Sequence, residues 1–353
     1  MYNCFNPGEL WTDTEGKPIH AHGGSVMFLD GKYYWYGENK EFTDGTTDIW
    51  HWGVRCYESE DLYNWRDLGL IIPPRPDDSD SPLHPSAFMD RPHIIYNERT
   101  KKFVCWLKIM KNDNVQSETV LTADKLTGPY TVVREGLQPL GMSAGDFDLV
   151  VAPDGKAYYY FERVHSETIC ADLTNDYTDV TGYYSTHFPH HEGPPHVREA
   201  TAHFMRGNRH YLVTSGTTGY FPNPSEVAIG SSWHGPFVVQ GDPHVGDESK
   251  TSFHSQISSV FKVQGKRDLY IAVADRWLPD YMDVDYEVCA KAFELTFGGK
   301  IAEEDRAAVE EFLPLMRTRL NTSRARYVWL PLRFEGERVF IDWRSEWRWE
   351  DFE

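Results

Sequence analysis

An all-β chain folded as a five-bladed propeller is what this sequence predicts, and three observations predict it. An aromatic strand motif recurs five times, each copy follows a second apolar strand across a tight turn, and helix-forming composition is scarce. The copies are GKYYWYGE at 31–38, KKFVCWL at 101–107, GKAYYYFE at 155–162, NRHYLVTSG at 208–216 and RDLYIAVAD at 267–275. Their basic residues Lys32, Lys102, Lys156, Arg209 and Arg267 stand 70, 54, 53 and 58 residues apart. A repeat of this period marks units that bury their faces only by stacking on one another.

Each unit reads as four short antiparallel strands. The first two are joined by Gly, Asn or charged turns, as in SVMFLDG, PHIIYNERT, DLVVAPDG, AHFMRGN and SSVFKVQGK, the signature of a hairpin. Four copies run on into a common tail of strand, polar turn and strand: VRCYESEDLYNWRDLG, VLTADKLTGPYTVV, TICADLTNDYTDVTG and VAIGSSWHGPFVVQG. Four strands per unit is the content of a propeller blade. The blades start near residues 20, 90, 145, 198 and 254, within one domain spanning 1–353. A two-sheet sandwich is the all-β alternative, and it leaves the regular spacing unexplained. One helix is expected, within Ala302 to Arg319 and shortened by Pro314. Strand patterning returns at 327–347, in a closing segment (320–353) expected to complete a blade begun by the N-terminus.

Composition narrows the partners. A net charge of −19 repels phosphates, so neither nucleic acid nor an anionic membrane is an expected partner. No apolar run approaches the 18 or so residues of a spanning helix. MYNCFNPGELW lacks the basic and apolar regions of a signal peptide, which leads to a cytoplasmic expectation. The five cysteines are widely spaced with no CxxC and read as free thiols. Twelve Trp, 20 Tyr and 19 Phe suit strands, and they also suit sugar faces that stack on flat rings.

The inner strands of a propeller converge on one axial funnel, so polar residues at their starts form one candidate site. His20 and His22 open the first blade and Glu38 ends its second strand; Asp90, Asp146, Glu199 and Gln256 stand at the starts of the next four. Asp146, Glu199 and Gln256 precede their turn glycines, Gly155, Gly207 and Gly265, by 9, 8 and 9 residues. Two carboxyls on one funnel fit glycoside hydrolysis, in which one acid protonates the leaving oxygen. Glu199 is the expected acid, with Asp146 raising its pKa and orienting it. Arg198 is expected to point away, because neighbouring strand residues alternate faces. No HExxH, Walker loop or GxGxxG competes.

At these residues the chain resembles glycoside hydrolase family 43, five-bladed propeller glycosidases, and within it the exo-β-1,3-galactanase branch. The motifs are HAHGGSVMFLDGKYYWYGE, SEDLYNW, DRPHIIYNERTKKFVCW, GDFDLVVAPDGKAYYY, REATAHFMRGNRHYLVTSGTTGYFPNP, SFHSQ and ADRW. The resemblance implies an inverting mechanism, with Glu199 of REA as general acid and Asp146 as the pKa-modulating Asp. The usual base, an Asp in the first blade, is replaced by AHGGS; Gln256 matches the Gln proposed as base in its imidic-acid form. Glu38 and Asp90 match acidic sugar-contacting positions. His22, Tyr220, Asn223, Asp275 and Trp277 are further candidate sugar contacts. No cofactor is required, although some relatives hold a calcium or sodium ion in the axial channel; no ligand set for one is legible here. REATA for REAPA, Tyr220 for Trp and His254 for Asp depart from the branch. Galactose-containing oligosaccharides are the expected substrates, with arabinosides or galactofuranosides as the alternative. A sugar-binding propeller without catalysis, or one that binds proteins, is the rival from another class.

Overall fold

The computed structural model describes residues 1–111 and 115–353. Blade one comprises β1 (His22–Leu29), β2 (Lys32–Glu38), β3 (Val54–Ser59) and β4 (Arg66–Ile72). Blade two comprises β5 (Phe88–Asn97), β6 (Lys102–Met110), β7 (Gln116–Ala123) and β8 (Thr131–Leu137). In blade three these become β9 (Ala144–Val151), β10 (Ala157–Arg163), β11 (Glu167–Leu173) and β12 (Val180–His187), and in blade four β13 (Arg198–Arg206), β14 (Arg209–Gly216), β15 (Glu226–Gly230) and β16 (Phe237–Gly241). All four are antiparallel meanders. The first turn shows how the sequence makes them: Asp30 and Gly31 both take positive φ, 49° and 83°, between the paired Leu29 and Lys32. That is the backbone a two-residue hairpin needs.

Blade five is assembled from separate pieces. A short edge strand β17 (His244–Val245) precedes β18 (Gln256–Lys262) and β19 (Tyr270–Arg276). The chain then leaves the sheet for two helices, α1 (Tyr286–Thr296) and α2 (Arg306–Met316). It returns as β20 (Arg326–Tyr327), β21 (Leu330–Glu335) and β22 (Arg338–Asp342), with β21 on β19 and β17 parallel to β22. The closing segment therefore finishes blade five, contrary to the expectation that it shares a blade with the N-terminus. After the helical excursion the open edge of β19 is the one it meets, where Ile271 and Ala272 pair with Pro331 and Leu330.

A single α2 was expected over Ala302–Arg319, and the structure has α1 as well. Asp285 caps α1, its side chain accepting from the backbone N–H of Glu287 and Val288. Pro314 lies inside α2, near its end, and does not cut it short. None of the helices among the described residues is long and apolar enough to cross a membrane. The five cysteines are unpaired, with Cys56, Cys105, Cys170 and Cys289 buried.

The innermost strands touch in a closed ring, β1 to β5 to β9 to β13 to β18 and back to β1. Closure between blades five and one rests on aromatic packing. Trp35 of β2 is wholly buried, with ring centroids 4.6 Å from Trp329, 5.3 Å from Trp65 and 5.4 Å from Trp11. Phe5 stacks on Trp347 at 4.2 Å and exchanges two backbone hydrogen bonds with it, so both chain ends lie against this cluster.

Every inner hairpin breaks register near its funnel end. The irregularities fall at His22/Ser25, Asp90/His93, Phe161/Arg163 (opposite Phe147 and Ala144), Glu199/Ala202 and Ile257/Ser259. A bulge inserts a residue and re-aims the side chains beside it.

Replacing Trp35 by Ala removes the ring at the centre of the closure. The expected cost is about 3–5 kcal/mol of unfolding free energy, read from the denaturant midpoint at unchanged m-value.

Candidate active site

The re-aimed residues meet at a hollow of about 210 Å³ on the axis, lined among others by Glu38, Asp90, Arg91, Asp146, Glu199 and Gln256. Arg91 is its hub. It sits in the blade-two bulge at φ 53°, a left-handed conformation that a non-glycine residue adopts only when its surroundings enforce it. Its backbone N–H donates to Glu38 Oε1 at 3.0 Å, its Nε to Asp146 Oδ2 at 2.9 Å and its Nη2 to Gln256 Oε1 at 2.5 Å. One residue thus ties blades one, two, three and five together.

Two lysines complete the charge pattern. Lys108, directly across the ladder from Asp90, holds Asp146 Oδ1 at 2.7 Å and Asp90 Oδ2 at 3.2 Å. Lys40 is fully buried, with Nζ 2.9 Å from Glu38 Oε2 and 4.7 Å from the Trp50 ring centroid. Trp50 donates its indole N–H to Asp90 Oδ1 at 2.8 Å.

Four carboxyls thus share three cations, and Glu199 is the one without an ion pair among the described residues. Among the described residues its side-chain polar partner is Gln256 Nε2, at 3.3 Å. Burial, reinforced by the charges of Asp146 and Glu162, pushes its pKa well above the ordinary glutamate value. Asp146 goes the other way: burial opposes its ionisation, but Arg91 and Lys108 outweigh that and hold it well below the usual carboxylate range. Asp90 is also lowered, Lys108 and Lys40 outweighing its burial. Glu38 is pushed up to about 7, chiefly by burial.

Gln256 has a defined orientation. Its Oε1 accepts from Arg91 and from Trp277 Nε1 (3.1 Å), while its Nε2 donates to Ser215 Oγ (2.9 Å) and Glu199. Flipping the amide would set its NH₂ against two donors. Arg198 turns away, to Thr214 and the Pro224 carbonyl.

Tyr220 and Trp277 line the hollow with rings 5.0 Å apart. Asp275 faces only a small adjoining crevice. Its Oδ1 meets His22 Nδ1 at 2.9 Å and its Oδ2 accepts from Gly23 N. His22 is fully buried and stacked on Tyr327. Asn223 bonds the N–H and C=O of Gly216 and the Thr218 hydroxyl. His22 and Asn223 therefore brace the walls and do not line the hollow.

Arg91, Lys108, Lys40 and Trp50 were absent from the sequence expectation. Strict alternation sends Arg91 to the face opposite Asp90, and only the bulge brings both to one hollow. Lys108 lies on a second strand, one residue past the KKFVCWL motif. A basic residue facing Asp90 across a predicted hairpin was the available signal.

The family model for glycosyl hydrolases family 43 matches residues 17–301. The chain belongs to that family. Two β-1,3-galactosidases of family 43 have similar structures. The first has 28% identity and a TM-score of 0.76, covering 99% of this chain; this chain spans 65% of that protein's length. The second, crystallised with galactodeoxynojirimycin, has 26% identity and a TM-score of 0.76 over 98% of this chain and 100% of that one. The exo-β-1,3-galactanase of Phanerochaete chrysosporium, at 24% identity and a TM-score of 0.77, covers 98% of this chain and 68% of its own, and shares the fold. No curated protein sequence matches. Family 43 is a family of glycoside hydrolases.

A proton retained by Glu199 stabilises the fold at low pH, and that contribution is lost as pH rises through its elevated folded value. Glu199→Gln cannot ionise. The variant should melt about 2 °C or more above the parent at alkaline pH, with the gap closing towards acidic pH, in a thermal-unfolding series.

Proposed function

We propose that this hydrolase removes single galactose units from the end of a β-linked galacto-oligosaccharide, with inversion at the anomeric carbon. The observation that carries the reading is Glu199, the one carboxyl at the hollow without a cation, held next to an Asp146 that stays ionised. The hollow, about 210 Å³, is smaller than the roughly 300–1,000 Å³ of pockets for drug-sized ligands and suits a single sugar ring, hence exo action. Galactose as the sugar rests on the two β-1,3-galactosidases of 28% and 26% identity.

Glu199 gives its proton to the glycosidic oxygen as the bond to the anomeric carbon breaks. The carboxylate left behind gains from the Gln256 amide N–H and from the nearby charges of Arg91 and Lys108, which already favour its ionised form. Asp146 keeps its charge throughout, and before the step that charge is what helps Glu199 hold its proton. We assign Gln256 to the base side. To fix the attacking water as an amide it must give up its bond to Ser215 or to Glu199. To take the water's proton on Nε2 it must pass through the imidic acid, with a proton on Oε1. Arg91 and Trp277 donate to that oxygen, and one of them would have to turn aside to make room for its proton. Glu38, Asp90, Tyr220 and Trp277 supply acceptors and flat faces for the bound ring.

Glu199→Gln should lower kcat by about 100- to 10,000-fold while leaving galactose affinity within about threefold, read by kinetics and calorimetry. Proton NMR of early product should show α-galactose first; β-galactose first would overturn inversion. Gln256→Ala should lower kcat by about 100-fold, and Gln256→Glu, which supplies a true carboxylate, should restore part of the loss with a new acidic limb in the pH–rate profile.

A further inference from the structure

A second and larger hollow, about 470 Å³, lies beside the first. It is walled by the β2–β3 connection, the start of β5, the β14–β15 connection, α1, and the end of α2 with the segment after it. The helical excursion is clamped to blade one: Thr322 N and Ser323 N both donate to Thr43 O at 3.1 Å. A Cβ on Gly45 would lie 2.6 Å from Arg319 O, so glycine is what lets the two segments close. Met316, Thr318, Arg319 and Leu320 on this wall lie beyond residues 17–301, the part matched by the family model.

The two hollows share Trp50, Gly219 and Tyr220. The Trp50 and Tyr220 rings, 5.5 Å apart with Lys40 Nζ 3.3 Å from the Tyr220 hydroxyl, form a partition. Gly219 has no side chain, and it lies between Phe293 of α1 and the catalytic hollow as a low threshold. It belongs to the connection that continues the β13–β14 hairpin, which carries Glu199, so the threshold adjoins the side from which a leaving group departs.

The lining mixes aromatic faces (Trp50, Phe88, Phe293) with hydroxyls and with Asp48 and Arg319. An acceptor-only carboxylate and a donor-only guanidinium both serve sugar hydroxyls, which donate and accept. Its volume falls in the range of small-ligand sites. We propose that this hollow is a subsite for the leaving-group sugars of a neutral oligosaccharide, built by the helical excursion against blade one. The proposal rests on the exo-hydrolase reading and adds where the rest of the chain lies.

The test compares kcat/KM for β-1,3-galactotriose with that for an aryl β-galactoside, in the parent and in Met316→Trp, whose indole narrows the hollow. The ratio should fall about tenfold or more. A ratio unchanged within about twofold overturns the proposal. Should Met316→Trp fail to fold, Arg319→Ala decides, Arg319 being exposed: a fall of about threefold or more supports the subsite, and no change overturns it. If neither substrate is turned over, the hydrolase reading fails by itself, and calorimetric titration still reads the hollow. Galactotriose binding weakened in Met316→Trp, with galactose binding unaltered, supports it; equal binding of galactotriose, or none to the parent, overturns it.

Discussion

Four carboxyls brought to one buried hollow with three cations must leave one of them short of a partner. Here Arg91, Lys108 and Lys40 are committed to Asp146, Asp90 and Glu38, and Glu199 is left beside Asp146 with an amide for company. An uncompensated buried carboxylate costs several kcal/mol, so the group keeps its proton instead. The raised pKa of Glu199 is therefore a property of the whole charge pattern, and Arg91 is the member on which the pattern hangs. Without it Asp146 loses one of its two cations, and Gln256 loses the donor that sets its amide.

The propeller explains why such a cluster can be assembled at all. Its inner strands run side by side around the axis, so residues from 53 to 165 positions apart become hydrogen-bonded neighbours. Bulges then do the aiming. A regular ladder would send Arg91 and Glu199 to faces fixed by alternation. The register breaks at Asp90/His93 and Glu199/Ala202, with positive φ at Arg91 and Ala200, turn the flanking side chains toward the funnel. The middle strands of the blades and the Trp35 cluster supply the apolar burial that offsets this polar, strained interior.

Much of this was legible in the residues. Five aromatic hairpins at a near-regular period led to the blades, and Asp146, Glu199 and Gln256 do come together. What escaped had physical reasons. Bulges are not visible to a period-two reading, so Arg91 was passed over while its neighbour Asp90 was taken. Lys108 needed the cross-strand register, which a strand pattern alone does not supply. His22 and Asn223 looked like sugar contacts because their motifs do, yet each spends its polar atoms on bracing a wall. The α1 helix was missed because a single Asp cap and a short apolar stripe are weak beside five loud hairpins. The closing segment was misplaced because pairing with blade five depends on what the helices leave open.

The charge pattern is most directly tested by a carboxyl ¹³C NMR titration of glutamate-labelled protein, with Glu199 assigned by its loss in Glu199→Gln and the titration repeated in Asp146→Asn. The account predicts a Glu199 midpoint well above the ordinary glutamate range that moves down when the Asp146 charge is removed. A midpoint in the ordinary range near pH 4.3, or one indifferent to Asp146, would contradict it.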